Sequence, residues 1–250
     1  MITIIKNILL IFLLNILLLS KSYSIETKAT SAYVMDATSN KALYEKNSNL
    51  RYGPASMSKL MIIYMTFERL QNGSLKLDDE FLVSRKAWKF GGSKMFVNIG
   101  DKVSVNDLLK GIIIQSGNDA CIVLAEGLSG SEENMVDAIN EKAKELGLLN
   151  SNFANVTGWP DKDHYMTARD IAHLSKLIIE VFPEYYYYFS LKSFTYNNIE
   201  QFNRNELINL EGYDGLKTGR TTQAGFGLVV SKVKGGRRII SVVNGLNSNK

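Results

Sequence analysis

Two residue types that often reveal a protein's chemistry are nearly missing from this sequence. Its 250 residues include one cysteine, Cys121, and two histidines, His164 and His173. A single thiol cannot form an internal disulfide framework, and the apolar helical pattern around Cys121 predicts a buried structural thiol. No group of Cys, His and carboxylate residues has metal-ligand spacing, so we expect no catalytic metal.

The N-terminal apolar run is too short for a membrane-spanning helix, which needs roughly 20 apolar residues. This run, 8–19, follows Lys6, is interrupted by Asn15 and precedes Ser22-Tyr23-Ser24, which has the small-x-small form of a cleavage site. We therefore predict a secretory signal peptide over residues 1–24 and an exported protein.

A concentration of charge of one sign is also missing. The formal net charge is +4, and the basic residues are scattered rather than gathered into one stripe. We therefore expect no nucleic-acid partner. The remaining residues, 25–250, contain no repeat or low-complexity linker and are numerous enough to bury a real core. We predict that they form one domain.

Strand patterns occupy both ends of this domain. Residues 30–37 and 41–46 read as short strands around a turn. Residues 224–234 and 237–244 are β-branched runs joined by Gly235-Gly236, which is a strong hairpin signal. With helical patterns between them, these strands predict a mixed α/β (α+β) fold, in which helices flank one central antiparallel sheet.

The helical patterns differ in how much of their surface is apolar. The first, from Ser56 to Gln71, is apolar nearly all round, as is typical of a buried helix. Ser104 and Thr167 are predicted N-caps of two later helices, and Thr167 with Asp170 resembles a capping box. The later helices are predicted over residues 104–115, 120–128, 132–146 and 167–181.

Ser56-Met57-Ser58-Lys59 stands at the start of the buried helix. Residues three apart on a helix share a face, so the Ser56 hydroxyl and the Lys59 amine come within hydrogen-bond reach. A serine hydroxyl becomes a nucleophile when a neighbouring base takes its proton, and burial can lower the pKa of a lysine enough for that task. An ordinary N-cap serine is the alternative for Ser56 considered alone.

A second S-x-x-K pattern, Ser231 with Lys234, provides a control within the same chain. It lies in a predicted strand, where residues three apart point to opposite faces, so it cannot bring a nucleophile and a base together. The pattern by itself therefore has low specificity.

Two further motifs raise the specificity. Ser116-Gly117-Asn118 interrupts an apolar helical stretch and offers one hydroxyl and one amide, although Ser104-Val105-Asn106 shows the same pattern as a plain helix cap. Lys217-Thr218-Gly219 occurs once. It stands just before the hairpin, which is the position expected for an edge strand that lines a cleft. Its lysine, hydroxyl and glycine suit the docking of an extended peptide with a terminal carboxylate.

The order S-x-x-K, S-x-N, K-T-G is closely similar to the motif sets of penicillin-binding proteins and class A β-lactamases. Beyond these motifs, the chain resembles the low-molecular-mass penicillin-binding D-alanyl-D-alanine carboxypeptidases over nearly all of residues 27–246. The resembling segments are 54–60 (PASMSKL), 115–121 (QSGNDAC), 155–158 (NVTG), 167–170 (TARD), 202–205 (FNRN) and 214–219 (DGLKTG).

This resemblance implies a β-lactamase/transpeptidase-like fold with an inserted helical subdomain, and an acyl-enzyme mechanism with no cofactor. Ser56 would attack the carbonyl of the penultimate D-alanine while Lys59 takes its proton. Ser116 would help to pass that proton to the leaving D-alanine, and Asn118 would hold the substrate amide.

The resemblance also assigns the K-T-G segment to substrate binding. Lys217 would supply positive charge near the substrate carboxylate, Thr218 a hydroxyl beside it, and Gly219 room for close backbone approach. Backbone N–H groups of Ser56 and Arg220 would form the oxyanion hole. The implied partners are peptidoglycan stem peptides ending in D-Ala-D-Ala and, as covalent inhibitors, β-lactam antibiotics. The implied location is the periplasm or the outer face of the cytoplasmic membrane.

Three alternatives stay open on the sequence. A D,D-endopeptidase acting on cross-links would carry the same motifs. A β-lactamase commonly needs a deacylating glutamate after S-x-N, and the segment 155–167 contains none, while Asp161 and Asp163 are expected to be solvated. A non-catalytic binding module on the same fold is the third.

Three further expectations concern the end of the chain, the aromatic run 185–189 and His164. Relatives usually continue with a helix on the sheet, and many add a β-rich domain and a membrane-binding tail. We expect these parts, and any peripheral membrane association through the tail, to lie outside a sequence that stops at Lys250. The aromatic run 185–189 is predicted to pack near a helix end, and His164 to order a loop.

Overall fold

The computed structural model of the protein describes residues 26–248, so the predicted signal peptide over residues 1–24 lies outside the described part. A five-stranded antiparallel sheet forms its centre, with the strand order β2-β1-β9-β8-β7. The strands are β1 (Ser31–Asp36), β2 (Lys41–Lys46), β7 (Tyr213–Thr221), β8 (Gly225–Lys234) and β9 (Arg237–Leu246). The prediction of a central antiparallel sheet is confirmed.

The turn between β8 and β9 forms as its sequence predicts. Gly235 and Gly236 have φ values of 58° and 75°, which a two-residue hairpin turn of the favoured twist requires at both positions. Lys234 therefore pairs with Arg237 across the turn. On its other side β9 pairs with β1, so the two ends of the described chain meet in the middle of the sheet.

The helices are inserted between β2 and β7, as the resemblance implies. Among them α6 packs against β1 and β9 and so covers one face of the sheet, while α1 is buried between α5 and α6. The bounds are α1 (Leu60–Gln71), α2 (Arg85–Lys89), α3 (Val105–Lys110), α4 (Asn118–Ser129), α5 (Glu132–Glu145) and α6 (Ala168–Val181). None of the helices described between residues 26 and 248 is long and apolar enough to cross a membrane.

Side-chain caps fix where two of these helices begin. The Ser104 hydroxyl accepts from Asp107 N at 3.1 Å and the Thr167 hydroxyl from Asp170 N at 3.0 Å, as predicted. The reciprocal half of the capping box does not form, because the Asp170 carboxylate accepts from Asn150 N and the Ser151 hydroxyl instead. This carboxylate thus ties α6 to the loop before it.

Two small two-stranded sheets outside the main sheet were not predicted. One pairs β3 (Glu80–Leu82) with β4 (Lys102–Ser104) across a connection that contains α2, and the other is a hairpin of β5 (Ser193–Tyr196) and β6 (Ile199–Phe202). Asn197 and Asn198 link the second pair with φ values of 48° and 60°. Asparagine tolerates this left-handed conformation better than most residues, so both residues suit their positions in the turn.

Aromatic packing behind α1 explains the run 185–189. The ring of Phe67 lies within 5.3 Å of Tyr185 and 5.9 Å of Phe182, measured between ring centroids, and also contacts Tyr188 and Phe189. This arrangement confirms the packing role predicted for the run. Cys121 is likewise fully buried, and burial raises the pKa of its thiol to about 12.

Truncation of this aromatic cluster is expected to destabilise the fold. Phe67→Ala should lower the free energy of unfolding by about 3–5 kcal/mol, because it removes a fully buried ring and leaves a cavity. Urea denaturation followed by circular dichroism measures the loss. Phe202→Ala, at a side chain that is 65% exposed, is the control and should change the unfolding free energy little. Equal effects of the two substitutions would contradict this account of the core.

Candidate active site

A single 3₁₀ turn, Ala55–Lys59, presents the first motif and leads directly into α1. The sequence predicted an α-helix from Ser56, and the tighter turn has a geometric consequence. Side chains at i and i+3 eclipse each other in a 3₁₀ helix. Ser56 Oγ and Lys59 Nζ consequently lie 2.8 Å apart, with Ser56 half-buried and Lys59 fully buried.

Three oxygen atoms surround Lys59 Nζ. Besides Ser56 Oγ, they are Asn118 Oδ1 at 2.8 Å and the backbone oxygen of Thr157 at 2.5 Å. Burial lowers the pKa of Lys59 to about 8, so above about pH 8 the amine is mainly neutral, with two N–H groups and one lone pair. The amide and carbonyl oxygens can only accept, so they take the two N–H groups. The lone pair is left to accept the Ser56 hydroxyl proton.

The break between α3 and α4 positions the second motif. A π-helical turn, Gly111–Gln115, ends at Ser116, whose backbone is left-handed with φ 66°. Such wide turns are frequent at functional sites. Ser116 Oγ is buried and has no hydrogen-bond partner in the described part of the chain. Its predicted role in proton transfer therefore stays a prediction.

Asn118 joins the second motif to the first. Its Oδ1 accepts from Lys59, while its Nδ2 donates to Gly91 O at 2.8 Å. Its backbone N–H donates to Ser93 O. Since both ends of the side-chain amide are occupied here, the substrate contact predicted for Asn118 stays a prediction.

Asp119, the next residue, was missed by the sequence analysis. Its buried carboxylate accepts from the backbone N–H groups of Met95 and Phe96, at 2.8 and 2.9 Å. These bonds fix the segment 91–97 against the start of α4 and thereby support Asn118. Because Asp119 also lies at the first turn of a helix, capping alone would have explained it in the sequence.

The third motif lies on β7, which forms one edge of the sheet. Lys217 and Gly219 face inward and are buried, whereas Thr218 is half-buried and Arg220 is exposed, as the two-residue period of a strand requires. A Cβ at Gly219 would lie 2.7 Å from Pro54 O, so only glycine lets β7 approach the 3₁₀ turn this closely. The predicted edge-strand position is confirmed.

Three basic side chains, Lys217, Lys59 and Arg204, lie near one another behind this strand. Burial is the main cause that lowers the pKa of Lys217 well below its usual range, and the nearby charges of Lys59 and Arg204 lower it further. Lys217 Nζ has one weak contact, with Thr218 O at 3.4 Å. Arg204 was not among the predicted site residues, although it belongs to the resembling segment 202–205.

The loop before α6 closes the site from another side. Asn155 Oδ1 accepts from the backbone N–H groups of Gly158 and Trp159, and so shapes the turn that delivers Thr157 O to Lys59. Gly158 has φ 81°, and a Cβ there would lie 2.0 Å from Ala55 O. The backbone of this loop therefore rests directly on the residue before Ser56.

The geometry brings Ser56, Lys59 and Asn118 together by direct contact, and it places β7 against the 3₁₀ turn. Residues 26–248 contain no cluster of His, Cys, Asp and Glu side chains that could hold a metal ion. The family model described as D-alanyl-D-alanine carboxypeptidase matches residues 19–248. The chain belongs to the D-alanyl-D-alanine carboxypeptidase family.

Curated members of this family are similar over most of the chain. D-alanyl-D-alanine carboxypeptidase DacC of Escherichia coli is 44% identical over 226 residues, which cover 87% of this chain and 56% of the relative. DacF of Bacillus subtilis is 40% identical over 235 residues, which cover 89% of this chain and 59% of the relative. The chain thus spans less than two thirds of the length of these relatives.

Solved structures of penicillin-binding proteins share the fold of this chain. Penicillin binding protein 6B from Escherichia coli superposes with a TM-score of 0.86 at 40% identity, covering 91% of this chain and 74% of that one. Penicillin binding protein 5 from Haemophilus influenzae gives a TM-score of 0.87 at 38% identity, covering 90% and 67%. The fold implied by the sequence motifs is confirmed.

The close contact at Gly158 generates a testable prediction. Gly158→Ala should slow the reaction of Ser56 with a fluorescent penicillin by about 100-fold, because the added methyl group displaces Ala55 and with it the nucleophile. Labelling time courses measure the rate.

Gly147→Ala is the matched control, since Gly147 also has a left-handed backbone (φ 77°) but has no atom within 4 Å of the added Cβ. The control carries the same backbone penalty and should label at the wild-type rate. If both variants slow equally, backbone strain rather than displacement of Ser56 is responsible.

Proposed function

We propose that this chain is a serine D,D-carboxypeptidase that removes the terminal D-alanine from peptidoglycan stem pentapeptides. One observation carries the proposal: the Ser56 hydroxyl lies 2.8 Å from a buried amine whose two other contacts are pure acceptors. This arrangement is a nucleophile with its base already in place. The names of the similar relatives support the choice of D-alanyl-D-alanine as the substrate.

The first half-reaction forms an acyl-enzyme. The Ser56 proton passes to the Lys59 lone pair while Oγ attacks the carbonyl carbon of the penultimate D-alanine. Backbone N–H groups of Ser56 and Arg220 would stabilise the oxyanion, a type of contact worth roughly 3–4 kcal/mol of barrier. When the peptide bond breaks, the proton held by Lys59 travels through Ser116 to the departing amine of D-alanine.

Ser116 suits this relay because its buried hydroxyl has no other partner among the described residues. A hydroxyl can accept one proton and donate another, so no net charge accumulates on it. Water then attacks the ester while Lys59 takes its proton, and Lys59 returns that proton to Ser56 Oγ as the ester bond breaks and the shortened peptide leaves.

Lys217 would select for the free carboxylate of the substrate. As a buried cation without an acidic partner among the described residues it is costly in the free protein, and burial accordingly lowers its pKa. A substrate carboxylate beside Lys217 and Thr218 offsets that cost. Binding is therefore coupled to the presence of a terminal negative charge, as an exopeptidase requires.

β-Lactams would acylate Ser56 in the same way and release it slowly. In the described part of the chain no carboxylate hydrogen-bonds to Ser56 or Lys59, and Asp161 and Asp163 are exposed. The lack of such a carboxylate among the described residues favours a penicillin-sensitive enzyme over a β-lactamase. A D,D-endopeptidase would share every feature of this site. Only an activity measurement distinguishes it from a carboxypeptidase.

We also propose that the protein acts outside the cytoplasm, in the periplasm or at the outer face of the cytoplasmic membrane. The basic residue, apolar run and small-x-small site within residues 1–24 support export. A peripheral membrane contact would be made by a segment outside the given sequence, which spans less than two thirds of these relatives.

D-alanine release from a pentapeptide tests the proposed activity. The wild-type protein should release D-alanine, and Ser56→Ala should reduce the rate to background, because the attacking oxygen is gone. Ser231→Ala, in the second S-x-x-K pattern, is the control and should retain activity. D-alanine release that survives Ser56→Ala would sink the assignment. Faster cleavage of cross-linked dimers than of pentapeptide would favour the endopeptidase. Rapid nitrocefin turnover would favour the β-lactamase.

The depressed pKa of Lys59 predicts a pH dependence. Only the neutral amine accepts the Ser56 proton, so the acylation rate by benzylpenicillin should rise about tenfold per pH unit and level off above about pH 8. Burial also lowers the pKa of Lys217, and loss of its charge should weaken binding of the carboxylate. Lys59→Arg, which stays protonated, should abolish acylation across the range. A flat profile between about pH 6 and 9 would contradict Lys59 as the base.

A further inference from the structure

A cavity of about 300 Å³ adjoins the candidate active site and has no role in the chemistry proposed above. Its walls are the residues just before Ser56, the loop 158–165 and the end of β7. Pro54 and Ala55 line it directly, and Gly158 separates it from the backbone of Ser56. A group attached to an acylating peptide therefore needs to travel only a short way from the nucleophile to enter it.

The direction of the substrate along β7 decides which group would enter. In the binding mode proposed above, the terminal carboxylate lies toward Lys217 and Thr218, and the attacked carbonyl lies between Ser56 and Arg220. The upstream part of the peptide must then run toward Thr221, one residue farther along the strand. Because an extended chain advances about 3.3 Å per residue, the third residue of the stem reaches the end of β7. Thr221 and Ala224 at that end line the cavity.

The cavity is lined by charged groups, of which Asp161 also accepts from Asp163 N at 2.8 Å. Arg51 has no carboxylate partner among the described residues; its guanidinium lies 5.0 Å above the Tyr165 ring and makes one weak contact, with Asn150. Lys162 adds a second, exposed cation, and Asp161 supplies a carboxylate. Donors for an anion and an acceptor for a cation thus share one pocket.

His164 adds a donor in the wall of this cavity. Its Nδ1 accepts from Ala154 N at 3.1 Å, and burial lowers its pKa to about 4, so the neutral ring carries its proton on Nε2. Nε2 is buried and has no partner within the described chain. An unpartnered buried donor is costly, so an acceptor that reached Nε2 would offset that cost.

We propose that this cavity binds an amino-acid group, a carboxylate and an ammonium on one carbon, at the end of the side chain of the third stem residue. Arg51 and His164 would take the carboxylate, and Asp161 the ammonium. A diaminopimelate side chain ends in this group, whereas a lysine side chain ends in an amine alone. The proposal rests on the proposed function and adds a preference for diaminopimelate-type stems.

Three pentapeptides test the preference on the whole purified chain. They differ only at the third residue, which is diaminopimelate, diaminopimelate amidated at the distal carboxylate, or lysine. The wild-type protein should show a kcat/KM for D-alanine release about tenfold higher with the first peptide than with the other two, because they lack the carboxylate. Arg51→Ala should bring the three values together, and Arg51→Lys should retain part of the preference.

Lys234→Ala is the matched control, since it removes one positive charge at the end of β8 away from the cavity and should leave the preference intact. Thermal unfolding curves show whether each variant is folded. Three wild-type values within about twofold, or a preference that survives Arg51→Ala in the folded protein, would overturn the inference. No D-alanine release from any peptide would instead overturn the proposed function, so the two failures are distinguishable.

Discussion

One nitrogen atom, Lys59 Nζ, sets the demands that the rest of the fold must meet. Burial lowers the pKa of this amine to about 8, but the neutral amine is useful only if its lone pair faces a hydroxyl. Thr157 O and Asn118 Oδ1 ensure this orientation by occupying its two hydrogens. Three distant parts of the chain must therefore converge within one hydrogen-bond length of the same atom.

The backbone around that atom is strained in two places. Ala55 and Ser116 are not glycines, yet both have left-handed backbones, with φ values of 48° and 66°. Such conformations persist only where the surroundings over-determine them, and they cluster at functional sites. Gly158 rests on the carbonyl of Ala55, and the bonds of Asp119 to the segment 91–97 support the turn beside Ser116. Each strained residue has a rigid support of its own.

Local patterns predicted the parts of the fold that local physics controls. The Gly235-Gly236 hairpin, the largely apolar α1 and the contact of Ser56 with Lys59 all follow from spacing over a few residues. The 3₁₀ first turn and the π-helical turn Gly111–Gln115 were missed, because distant contacts rather than propensity select these variants of a helix.

Other misses have different causes. The β5–β6 hairpin carried a readable signal in Asn197-Asn198, which was overlooked because glycine is the commoner turn residue. Asp119 and Thr157 could not be identified from spacing, since one acts through backbone N–H groups 22 to 24 residues away and the other through its own carbonyl oxygen. Backbone groups are present at every position, so no residue type marks them.

The pairing of β1 with β9 has a consequence for the order of assembly. The earliest strand of the described chain lies between β2 and the last strand, and β8 and β7 join the sheet only through β9. Closing a contact across this sequence distance is slow, since the intervening chain must first be gathered. A partly synthesised molecule can fold its helices early, but the β7–β8 pair that faces Ser56 is not joined to β1 until β9 has been made. Reactivity at the serine would accordingly require that synthesis has passed β9.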